Sequence, residues 1–215
     1  MPTPINTDVV IVGAGPTGLA LACQLARYDV DFVIIDNREG VTPYSKALGV
    51  TGGSTPGDWR FYYVRGIAYE RSDKFPLAEK DFLRALDLNP NQPQVLNYLG
   101  YSWVDKGMNL TRALDMIQKA VQASPNDGYI IDSLGWAYYR LGRYSDAVTQ
   151  LEQAATLRPN DPEINDHLGD AYWKVGRKLE AKFQWKIAAS VDTIGNVKKR
   201  TIPKLANGLT ADATP

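Results

Sequence analysis

Glycine recurs at Gly66, Gly100, Gly135 and Gly169, at spacings of 34, 35 and 34 residues. Two alanine sets keep the same register: Ala78, Ala113, Ala147 and Ala181, then Ala85, Ala120, Ala154 and Ala188. Prolines close the first three units at Pro90, Pro125 and Pro159. Three residue sets in one register mean a single structural unit copied four times over residues 59–193. The small and bulky positions of each unit are read as two packed helices, A and B. The small residues let the two helices approach closely. Bulky residues fill the remaining space, with Tyr69, Trp103, Tyr138 and Tyr172 on helix A and Phe82, Ile117, Leu151 and Trp185 on helix B. The pattern predicts A helices near 60–72, 93–106, 127–141 and 162–175, and B helices near 77–88, 110–123, 145–157 and 179–191. The extra residue of the second unit falls in the turn KGMNLT. Thr193 replaces the fourth closing proline, so the array is expected to end there. A short polar capping helix over 196–208 and a frayed tail should follow.

This period, with its small-residue positions, resembles the tetratricopeptide repeat, whose unit is about 34 residues. The phrases DGYIIDSLGWAYYRLGRY and INDHLGDAYWKVGR are similar to the C-terminal parts of larger proteobacterial repeat proteins. The resemblance implies a mainly α fold, an α-solenoid of four helix pairs whose A helices line a concave groove. It also implies a non-catalytic protein–protein interaction module that binds a peptide or partner helix there. In that register Tyr63, Asn97, Asp132 and Asp166 form one row of the groove, and Ile67, Tyr101, Trp136 and Asp170 the next. Tyr139, Arg140, Trp173 and Lys174 stand near its exit. The candidate partner-binding residues are Tyr63, Asn97, Tyr101, Asp132, Trp136, Tyr139, Asp166, Asp170 and Trp173. Trp136 and Tyr139 fall outside the core register and are expected to face the groove, with Trp136 as the principal anchor. The three aspartates are expected to favour basic ligands rather than to do acid–base chemistry. His167 is expected on a different part of its helix, and the KKR at 198–200 reads as a helix end.

The first fifty residues belong to another kind of protein. All five tryptophans and ten of twelve tyrosines lie from Trp59 onward, and TGGSTPGD at 51–58 reads as the join. Before it, the β-branched run DVVIV meets GAGPTG, an apolar helix pattern follows, and a second run, VDFVIID, ends at Asp36. Strand, glycine turn, helix and strand form the start of a dinucleotide-binding fold. Gly13 allows the tight turn, Gly15 lets the backbone approach a pyrophosphate, and Gly18 allows close helix–strand packing. Residues 5–50 resemble the N-terminus of FAD-dependent aromatic-ring hydroxylases. The resemblance implies a βαβ, Rossmann-like fragment in which Gly13, Gly15, Gly18 and Asp36 hold the ADP half of FAD. It stops near residue 50, and Lys46 stands where that family often carries an arginine. Ordering about fifty residues costs on the order of 75 kcal/mol, which two strands and one helix offset poorly. The chain is therefore expected to work without a cofactor, with FAD as the alternative. The rival function is an FAD-binding, flavin monooxygenase-like oxidoreductase that uses the repeats for docking.

Composition excludes several other classes. The 24 basic and 24 acidic residues leave no net charge, which argues against nucleic acid. One cysteine and one histidine exclude an internal disulfide and a Cys/His zinc site. No basic residue precedes the apolar stretch 9–26, and Asp8 stands where a signal peptide would be positive. A cytoplasmic protein with a protein or peptide partner, no membrane partner and no catalytic or metal site is expected. Its segments would be a fragment over 1–50, a linker over 51–58, repeats over 59–193, and a cap and tail over 194–215.

Overall fold

A computed structural model describes residues 9–12, 32–35 and 59–209. Two short strands come first, β1 (Val9–Val12) and β2 (Phe32–Ile35). They pair in parallel, Val9 opposite Phe32 and Val12 opposite Ile35. Parallel neighbours need a crossover between them. The helix expected to supply it lies outside the described residues, as do Gly13, Gly15, Gly18 and Asp36.

Nine helices follow among the described residues. The first four are α1 (Trp59–Arg71), α2 (Phe75–Leu88), α3 (Pro93–Asp105) and α4 (Leu110–Ala123). The rest are α5 (Gly128–Arg140), α6 (Tyr144–Leu157), α7 (Pro162–Lys174), α8 (Lys178–Val191) and α9 (Asn196–Asn207). The chain divides into two compact units, residues 1–95 and 96–215.

The repeating small residues stand where helix A meets helix B. A Cβ added to Gly66 would lie 2.6 Å from the Phe82 ring, and one on Gly100 would lie 2.7 Å from the Ile117 side chain. At Gly135 and Gly169 it would meet Leu151 and Trp185 at 2.5 Å. Only glycine allows that approach. All eight alanines of the two sets are fully buried, as are Phe82, Ile117, Leu151 and Trp185. In the first unit this packing carries a half-buried ion pair: Arg65 on α1 donates through Nε and Nη2 to Asp81 on α2, at 2.7 and 2.9 Å.

Each A–B turn places a residue in the left-handed region: Asp73 (φ 59°), Gly107 (67°), Gly142 (75°) and Gly176 (85°). Glycine adopts that backbone without strain, and an aspartate does so at a cost. The α3–α4 turn holds four residues, Lys106 to Asn109, where the other three A–B turns hold three. Asn109, at φ 47°, takes up the extra residue. Asp127 and Asp161 start α5 and α7, each accepting two backbone N–H groups through Oδ1.

Helix α9 is a fifth A helix and the last helix among the described residues. It packs on α8 and α7, as α7 packs on α6 and α5. Pro203 follows Gly169 by 34 residues and occupies its position. A proline ring there excludes the close contact that every B helix makes with its glycine. The equivalent of buried Leu168 is Ile202, 52% exposed. Among the described residues the fifth unit therefore lacks the close A–B contact that the other four make.

Candidate functional site

In the second unit the A helices α5, α7 and α9 stand side by side, and their shared face carries most of the candidate residues. A three-ring stack lies at its centre. Tyr139 and Trp136, one turn apart on α5, have ring centroids 4.7 Å apart and planes within 7°. The other face of Trp136 meets the His167 imidazole of α7 at 4.2 Å and 13°. His167 Nδ1–H donates to Asp132 Oδ1 at 2.9 Å, one turn before Trp136. Burial by itself would lower the His167 pKa, but the Asp132 charge and hydrogen bond outweigh it and hold the pKa at about 9. At neutral pH the indole is therefore sandwiched between a phenol and an imidazolium.

The next layer is ionic. Lys204 of α9 donates to Asp166 Oδ1 and to both oxygens of Asp170, each at 2.8 Å. Arg200, one turn earlier, bonds Asp166 and Glu163. Asp170 Oδ1 also accepts the indole N–H of Trp185 at 2.8 Å. Burial, and then the neighbouring Asp166 charge, raise the Asp170 pKa above its ordinary range. Arg200 and Lys204 follow Asp166 and Asp170 by 34 residues each, so the fifth A helix places cations beside the fourth helix's anions.

These contacts correct three expectations. Trp136 and Tyr139 are 5% and 2% exposed and belong to the packed stack, because the aromatic rings of neighbouring A helices close over one another. Asp132, Asp166 and Asp170 are buried and paired, so they present no free acidic surface to a basic ligand. His167 and the KKR arginine, Arg200, are members of the cluster rather than bystanders. The sequence signal for the Arg200 and Lys204 pairing is their 34-residue offset from Asp166 and Asp170, in the register continued past Thr193.

The remaining candidates divide by exposure. Asn97, Tyr101 and Trp173 are half-buried. Trp173 packs on Trp185 with ring centroids 5.5 Å apart. Burial, followed by the Asp132 charge, raises the Tyr101 pKa, so its phenol stays protonated as a donor. Burial and then Asp170 do the same for Tyr139. Four buried polar atoms in the unit have no hydrogen-bond partner among the described residues: Asn97 Oδ1, Trp136 Nε1 and Tyr139 OH on the A helices, and Gln184 Oε1 on α8. Tyr63 belongs to the first unit, buried against Phe82.

The family described as tetratricopeptide repeat matches residues 37–93 and 63–128, and a TPR repeat matches residues 135–176. An FAD binding domain matches residues 6–55, overlapping the first repeat match. A TPR repeat-containing protein of Pseudomonas aeruginosa is 34% identical over 92 residues, 43% of this chain and 16% of its own length. The rifampicin monooxygenase of Rhodococcus hoagii is 52% identical over 44 residues, 20% of this chain and 9% of its own length. The chain thus spans a small part of each curated relative. Among solved structures, MamA of AMB-1 superposes with a TM-score of 0.54 at 26% identity, covering 63% of this chain and 80% of that one. MamA from Desulfovibrio magneticus RS-1 does so at 0.56 and 21% identity, over 63% and 76%, a likeness of fold alone.

Proposed function

Because this chain is a tetratricopeptide-repeat protein with a short FAD-binding-like N-terminal segment, we propose that its working part is the A-helix face of residues 96–215. There it would bind an extended peptide or helix of a protein partner, without catalysis. The observation that carries this reading is the set of unpartnered polar atoms, Asn97 Oδ1, Trp136 Nε1 and Tyr139 OH. A buried donor or acceptor without a partner costs about 1–3 kcal/mol, which a ligand offering amide groups can recover. Tyr101 and Asn97 are the accessible entry, and the Trp136 stack forms a rigid floor. Asp132, Asp166 and Asp170 act by holding His167, Lys204 and Arg200. Trp173 borders the face toward α8. In this reading the chain works in the cytoplasm.

Affinity for a purified partner tests it. Tyr101→Ala should weaken binding at least tenfold, because a half-buried aromatic anchor of this kind contributes about 2 kcal/mol or more once a partner covers it. Asp115→Ala, on the exposed face of α4, should leave binding unchanged. Equal affinities for the two variants would refute the assignment.

The second reading keeps a flavin. It is favoured by the parallel register that sets Val12 beside Ile35, directly before Gly13 and Asp36 in sequence. Gly13, Gly15 and Gly18 would cradle the pyrophosphate and Asp36 the ribose. Flavin-band absorbance in the purified chain, abolished by Gly15→Val, would establish it.

A further inference from the structure

The last B helix, α8, differs from the other three on its solvent face. Taking the buried alanine of each B helix as reference, the residues two before and two after it are Pro76 and Lys80, Thr111 and Asp115, and Ser145 and Thr149. All six are exposed, and five are polar. In α8 the same positions hold Leu179 and Phe183, 84% and 62% exposed. One turn apart, they project from a single helix face. Lys178, Lys182 and Lys186 run beside them at intervals of four residues, all exposed. Lys182 and Lys186 make no ion pair among the described residues. Lys182 corresponds to Val148, which is buried where the array continues. In α8 the same position is exposed, and it is a lysine.

The charge is regional. Between Lys174 and Lys204 there are nine basic residues and two acidic ones, in a chain whose total charge is zero. Arg177, Arg200 and Lys204 are paired with Glu152, Glu180, Glu163, Asp166 and Asp170, so the local positive field comes from the exposed lysines of α8.

We propose that the solvent face of α8 docks peripherally on an anionic lipid surface, with Leu179 and Phe183 entering the headgroup layer and Lys178, Lys182 and Lys186 pairing with lipid anions. The proposal is independent of partner binding on the A-helix face. Charge complementarity selects an anionic occupant. The apolar geometry selects lipid over an acidic protein: two protruding side chains suit a deformable headgroup layer, whereas a stable protein interface buries about 800 Å² per partner. Juxtaposed lysines and apolar side chains are the two signals that together give reversible membrane binding. The sequence-based expectation of no membrane partner weighed no individual face. Among the described residues no helix is long and apolar enough to cross a membrane, so the contact is superficial.

The test is co-sedimentation of the full chain with vesicles of phosphatidylcholine, with or without phosphatidylserine, at low and high salt. Retention should require phosphatidylserine and fall as salt rises. The double variants Leu179→Ser/Phe183→Ser and Lys182→Glu/Lys186→Glu should each reduce it at least tenfold. Lys80→Glu, at the equivalent position of α2, should not. All replaced side chains are exposed, and unchanged circular dichroism will show that each variant is folded. Absence of retention, or retention that both double variants preserve, overturns the proposal. So does binding to a glutamate-rich peptide without binding to phosphatidylserine vesicles, which would give the face to an acidic protein.

Discussion

Asp73 holds the left-handed position that glycine takes in the other three A–B turns. Replacing Asp73 with glycine should raise stability by about 0.5–1 kcal/mol, read as a higher urea midpoint at constant slope. The His167–Asp132 pair gives a second residue-scale prediction, this one in pH. The folded pKa of His167, about 9, lies above its unfolded value near 6.5. The pair's stabilisation is therefore complete below about pH 6.5 and is lost as pH rises through 9. Its size is on the order of 3 kcal/mol. Melting temperature should fall across that window, and His167→Gln should remove the dependence. A flat profile would mean that His167 is neutral in the fold. Trp136→Ala, in contrast, is a poor probe of binding. Its ring lies inside a stack, so truncation removes core packing worth about 3–5 kcal/mol, as Trp103→Ala would.

At the scale of elements, most of the array was legible in sequence because a fixed period ties every small residue to one packing contact. Each helix limit in residues 59–209 falls within two residues of its expected place, and the turn with an extra residue is the one the spacing indicated. The faces were harder to read. Sequence register assigned Trp136 and Tyr139 to the groove, but whether a neighbouring helix's ring covers them depends on His167, a residue the repeat pattern does not mark. The cap was expected over 196–208 and is α9, Asn196–Asn207, but its charges were read as an ordinary helix end. They neutralise Asp166 and Asp170, which are both buried. Lys204→Ala should therefore cost about 3–5 kcal/mol, the penalty of an unpaired buried charge, whereas Lys199→Ala, exposed on the same helix, should cost under about 0.5 kcal/mol. Chemical denaturation of both variants measures the difference.

At the scale of the molecule, the sequence joins two unlike segments, and only the repeats carry the architecture described here. Stability in such arrays comes from contacts between neighbouring helices, so residues 56–208 are expected to fold without residues 1–55. The N-terminal segment resembles enzymes far longer than itself, and its glycines and Asp36 lie outside the described residues. The most direct test is the thermal unfolding of residues 56–208 alone, followed by circular dichroism beside the full chain. The fragment should be strongly helical and unfold cooperatively, within a few degrees of the full chain. An unfolded fragment beside a folded full chain would contradict the account, because the array would then depend on the segment that precedes it.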